Sequence, residues 1–168
     1  TMTKLMSGFA KTSKTVYKLS DGTKTTIGKL KYSGQAPYIT QGVTKVKDDY
    51  YITATYKSAL AYDYGYIMKY DTSEKKYYIS DLLPLAHGND LGYNPDTNML
   101  VLSNNAPDRR IVTLVNLDDL TLADQVYLKD DDGDDMHIYA IDYDPVSKHY
   151  VACTSFEDAQ DAGVWYNY

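Results

Sequence analysis

Apolar and polar residues alternate along this chain in short runs separated by clusters of Asp, Asn, Gly, Ser and Pro. That is the signature of half-buried strands joined by tight turns. Residues 15–19 alternate, Ser20, Asp21, Gly22 and Thr23 carry turn chemistry, and Thr25, Thr26 and Ile27 resume β-forming types, so a hairpin is predicted there. Strands are likewise predicted at 41–46 and 50–56, around Lys47, Asp48 and Asp49, and at 66–70 and 76–79, around the turn 71–74. The order continues with 87–93, 99–103, 111–115 and 123–128, and begins again at His137. Residues 163–168 stand in the place of the third strand of that last group. No window of ten or more residues has a convincing helical period, so the chain reads as all-β.

The pattern is also written more than once. His87 matches His137, Tyr93 matches Tyr143, Pro95 matches Pro145 and Val101 matches Val151, an offset of 137 − 87 = 50, and Asp21 matches Asp71 in the same way. Repeats with a period of roughly 20–50 residues mean solenoids, propellers or arrays. Four-stranded antiparallel units of about 50 residues are β-propeller blades, which close into rings of roughly 4–8. On this reading residues 1–13 are a flexible lead-in and 14–168 one propeller segment: a half blade at 14–40, blades at 41–86 and 87–136, and a partial blade at 137–168. That number of blades cannot close a ring. Either the chain is a segment of a longer propeller, or copies assemble to complete one as a homo-oligomer.

Composition narrows the partners. The 168 residues carry a formal charge of −6 and a pI near 4.9, so the basic footprint of a nucleic-acid binder is absent. There are 19 tyrosines against 2 phenylalanines and 1 tryptophan, a bias that suits half-buried strands with wet, adhesive surfaces. The single cysteine, Cys153, lies in an apparent strand and reads as a small buried hydrophobe. No run approaches the roughly 18 apolar residues of a membrane span, and the first residues lack the apolar region of a signal peptide. Membrane insertion is not expected; the chain is cytoplasmic, or was cut from a longer precursor.

The units resemble repeats of bacterial β-propellers of the NHL, senescence-marker-protein and kelch-like kind, through the Tyr93-Asn94-Pro95 and Tyr143-Asp144-Pro145 turns. More narrowly, Gln41-Gly42, the segment 87–90 and the run 93–101 look like propeller regions of Gram-positive surface and secreted proteins. The resemblance implies an extracellular or cell-surface location and a non-catalytic binding module for a glycan, a cell-wall polymer or a protein. It also implies a competing activity, a lactonase-like hydrolase or lyase with a metal at the channel mouth, for which His87 or His137 would serve as ligand or base.

In propellers the loop leading into each innermost strand opens near the central channel. Gln41, His87 and His137 are expected there, with Asn89 and Asp90 beside His87 as further ligand contacts. An imidazole in such a place hydrogen-bonds a sugar, ligates a metal or acts as a base, or else simply tethers its blade. Tyr62 and Tyr64, in the loop before the third strand, are the preferred aromatic contacts, whereas Tyr66, Tyr139, Trp165, Tyr166 and Tyr168 read as packing. Asp130, Asp132 and Asp134 alternate around Gly133 as in calcium loops, although no glutamate completes an EF-hand pattern, and a solvated acidic loop is the alternative. His149 reads as surface. No nucleophile elbow, phosphate-binding glycine loop or zinc-type spacing is present.

Overall fold

The computed structural model describes residues 37–56, 64–104, 110–155 and 166–167. The lead-in, the hairpin predicted at 15–27 and Tyr62 lie outside the described residues. Eleven strands follow in order: β1 Pro37–Val46, β2 Asp49–Tyr56, β3 Gly65–Asp71, β4 Lys76–Ile79, β5 Asp90–Asn94, β6 Met99–Ser103, β7 Ile111–Asn116, β8 Leu122–Tyr127, β9 His137–Asp144, β10 His149–Ser155 and β11 Tyr166–Asn167. They form three antiparallel sheets, β1-β2-β3-β4, β5-β6-β7-β8 and β9-β10-β11, each a meander in which neighbours in sequence are neighbours in space. No helix occurs among the described residues. The all-β reading holds, and the strands fall within a few residues of where alternation put them.

The turns explain those boundaries. Asn94 Oδ1 accepts the N–H groups of Asp96 and Thr97 at 2.9 and 3.3 Å, and Asp144 does the same for Val146 and Ser147 at 2.9 and 3.3 Å. Asp71 treats Ser73 and Glu74 alike, at 3.0 and 2.9 Å. Each of these turns then closes on a left-handed residue, Lys75, Asn98 or Lys148, with φ of 56°, 56° and 63°. A short polar side chain that bonds its own backbone two residues on competes with the ladder and reverses the chain. One turn design is therefore used in all three sheets.

Sheet two is covered on both faces, and β6 shows how. Leu100 and Leu102, both 0 % exposed, join Tyr51, Ile67, Leu83, Leu85, Leu91 and Val115 in a core shared with sheet one. Val101 between them points the other way, into a core with Val112, Ile138 and Ile141 shared with sheet three. A run of successive apolar positions such as 99–102 is what burial on both faces requires. Each such side chain contributes roughly 1.5–3 kcal/mol when fully buried, so these junctions hold the sheets together.

The first strand of each sheet lies beside the first strand of the next, β1 against β5 and β5 against β9. Two glycines permit the approach. A Cβ on Gly42 would stand 2.9 Å from the backbone of Asp90 and Leu91, and one on Gly92 would stand 3.0 Å from Asp142 Cα and 3.1 Å from the Ile141 carbonyl. Buried hydroxyls in the second strands complete each junction. Thr53 Oγ1 accepts the Gly42 N–H at 2.8 Å and donates to the Gly88 carbonyl at 2.6 Å, while Ser103 Oγ donates to the Tyr139 carbonyl at 2.9 Å. The two members of each pair stand fifty residues apart, since 92 − 42 and 103 − 53 are each 50.

Candidate functional site

The connection from β4 to β5 carries His87 and Asn89 and leads into Asp90, the first residue of β5, and it is fixed along its length. Leu83 exchanges backbone bonds with Gly65, both at 2.9 Å, and Gln125 Nε2 donates to the Pro84 carbonyl at 2.9 Å. The His87 N–H reaches the Asn104 carbonyl at 3.2 Å and the Asn89 N–H reaches the Ser103 carbonyl at 2.9 Å. Gly88, with φ of 51°, makes the reversal that brings its carbonyl to Thr53. Behind this segment stands a polar group that the pattern of alternation does not announce. Buried Asn104 accepts the Thr113 hydroxyl at 2.7 Å, and Thr113 in turn accepts from Gln125 at 3.0 Å.

Asp90 opens β5 and ties it to the next sheet, because its Oδ2 accepts the Ile141 N–H at 3.0 Å. His137 opens β9 four residues earlier. It is half-buried, and its Nδ1 is shut from solvent without a hydrogen-bond partner. Thr154 Oγ1, on the adjoining strand, is the other unpartnered buried side-chain atom among the described residues. Tyr64, just ahead of β3, is 51 % exposed.

Gln41 does not stand level with the histidines. His87 precedes β5 and His137 opens β9, whereas β1 opens at Pro37 and Gln41 is its fifth residue. Gln41 is exposed within β1 instead of leading into it.

The acidic loop is closed by its own backbone. Asp130 Oδ1 accepts the N–H groups of Asp132 and Asp134 at 3.0 and 2.8 Å, and Gly133, with φ of 90°, makes the turn. Asp135 binds Lys129 at 2.7 Å and Arg110 at 2.8 Å, and the Lys129 bond foremost holds its carboxyl below the usual range. Among the described residues no three His, Cys, Asp or Glu side chains gather as metal ligands.

A second recess lies at the turn end of sheets one and two, a cavity of about 580 Å³ lined by Tyr51, Lys69, Asp49, Asp71, Tyr78 and Asp118, among others. Lys69 spans it, 3.0 Å from Asp49 and 3.7 Å from Asp71, and the Asp49 bond raises its pKa. Burial raises that of Tyr51. Asp49 also accepts the Thr72 N–H at 3.2 Å and Asp118 accepts from Asn98 at 3.0 Å, so these carboxylates serve the turns.

Compared with protein-family models, curated proteins and solved structures, the chain matches none of them.

Proposed function

We propose that the chain is a β-propeller-type repeat segment acting as a non-catalytic binding module, with His87, Asn89, Asp90, His137 and Tyr64 as the contacts for a glycan, a cell-wall polymer or a protein at the cell surface. The observation that carries this reading is the anchoring of 83–90 by bonds to β3, β6, β8 and β9. His87, Asn89 and Asp90, on a segment fixed before any ligand arrives, lose little freedom on binding, which is how modest surfaces reach useful affinity. Exposed tyrosine beside it suits the apolar face of a sugar or a protein side chain. The meander sheets, stacked first strand to first strand, support the propeller reading.

The unpartnered Nδ1 of His137 favours a second reading, a metal-assisted lactonase-like hydrolase or lyase, since a buried imidazole nitrogen without a partner keeps an unused bonding capacity that a ligand reaching it would satisfy. Screening the purified chain against a glycan array and isolated cell walls separates the two. Binding that survives chelation and weakens about tenfold, or 1.4 kcal/mol, in His87→Ala or Asn89→Ala supports the module. Turnover of a lactone substrate that chelator abolishes supports the enzyme, and neither result in a folded chain removes both.

A further inference from the structure

Tyr51, Lys69 and Tyr78 form one row across sheet one, since Tyr51 and Lys69 are register partners and so are Lys69 and Tyr78. Asp49 and Asp71, two residues along from Tyr51 and Lys69, share their face, which is the one that turns Tyr51 toward sheet two. The second junction supplies a comparison. There the third residue of the second strand is Val101 where sheet one has Tyr51, its register partner is Leu114 where sheet one has Lys69, and both pack against sheet three. Stacking one sheet on the next therefore does not require polar groups in this row, and burying them is unfavourable.

The row lines the recess of about 580 Å³, whose facing wall is the turn between β7 and β8. That volume is within the range of small-molecule sites. Tyr51 is 5 % exposed, its ring lies in the core between the sheets, and among the described residues its hydroxyl has no hydrogen-bond partner. The hydroxyl is not shut from solvent, so it opens into the recess that the ring lines, near Lys69, Asp49 and Asp118.

The charges around it are unequal. Lys69 is held between Asp49 and Asp71, at 3.0 and 3.7 Å, and Glu74 takes Lys76 at 3.2 Å. On the facing wall Asp118 and Asp119 each use Oδ1 within the turns, for Asn98 and for Thr121, and among the described residues neither has an ion-pair partner. Lys47 is the remaining cation of the lining, so carboxylates predominate. A concave site dominated by one sign of charge concentrates counter-ions.

We propose that this recess binds a small organic cation, an aliphatic ammonium whose N–H donors are accepted by the Tyr51 hydroxyl at the base and by Oδ2 of Asp118 and Asp119 at the exposed rim. A short diamine has an ammonium for each end. β3 runs from Gly65, bonded to Leu83, to Asp71 in the recess, seven residues. At the rise of a strand that is roughly 20 Å, so the site is separate from 83–90 and does not rest on the binding-module reading.

The test is titration calorimetry of the 168-residue chain with putrescine at fixed ionic strength. Saturable binding at one site is expected, and none of the neutral isostere butanediol. Tyr51→Phe should weaken binding about fivefold, the value of one hydrogen bond, with melting unchanged because the hydroxyl supports nothing in the fold. Asp118→Asn should weaken it about threefold, as for an exposed ion pair, and Asp131→Asn, in the acidic loop, should not change it. No saturable binding overturns the proposal. Butanediol binding as well as putrescine would overturn the choice of a cation, and a loss in Asp131→Asn equal to that in Asp118→Asn would show only the general attraction of an acidic chain.

Discussion

Tyr143 of β9 donates its hydroxyl hydrogen to the Asp96 carboxylate at 2.5 Å, across the junction of sheets two and three, and Lys148 reaches the same carboxylate at 2.6 Å. The carboxylate and the phenol shift in opposite directions. Asp96 is held below the usual carboxylate range by Lys148 first and Tyr143 second, while the Asp96 bond pushes Tyr143 up to about 12 from an ordinary 10.0. A raised tyrosine supports the fold fully below its unfolded value and stops doing so as pH climbs from 10.0 through about 12. A depressed carboxylate supports it above roughly pH 4 and stops as pH falls through the lowered value. Melting curves of wild type and Tyr143→Phe should therefore converge as pH climbs from 10.0 toward 12. An unchanged gap between them across that window would show that the bond is absent in solution.

The two junction glycines should resist any side chain. Gly42→Ala and Gly92→Ala place a methyl group against backbone of the next sheet, and overpacking of that kind costs about 1–3 kcal/mol. Urea denaturation is the measurement, and a loss under half a kcal/mol at both sites would mean that the sheets lie farther apart than described.

Thr53 is 1 % exposed and satisfies one donor and one acceptor of two different segments. Thr53→Val keeps the shape and strands both partners, so a loss of about 2 kcal/mol is expected. Ser103→Ala removes only the bond to the Tyr139 carbonyl and should cost about 1 kcal/mol. Equal losses would contradict the difference in bonding.

Millimolar calcium should leave the melting temperature unchanged, because Asp130 is already engaged by the N–H groups of Asp132 and Asp134. A rise that saturates with calcium, and that vanishes in Asp132→Asn, would show that the loop opens to bind the ion.

The strands and turns were legible because their causes are local. Alternation in 50–56 and the Asx residues 71, 94 and 144 act within a few residues, and β4 and β6 lie where the sequence put them. The place of Gln41 was not legible, because alternation from residue 41 onward does not tell that the ladder already begins at Pro37, which leaves Gln41 exposed inside β1. What covers each face was not legible at all. Val101 and Val151 are the same residue in the same repeat position, and only packing distinguishes them. The polar set of Asn104, Thr113 and Gln125 was not legible for a similar reason, because its members come from the end of β6, from β7 and from β8 and meet only after the sheet has formed.

The coverage of sheet two on both faces sets the order in which the molecule comes apart. Leu100, Val101 and Leu102 can reach water only after a neighbouring sheet has left, so the backbone amides of β6 are the last to open, while those at the rims of sheets one and three need no such departure. Deuterium should enter the described strands from the two ends of the stack inward, leaving β6 as the clock for global unfolding.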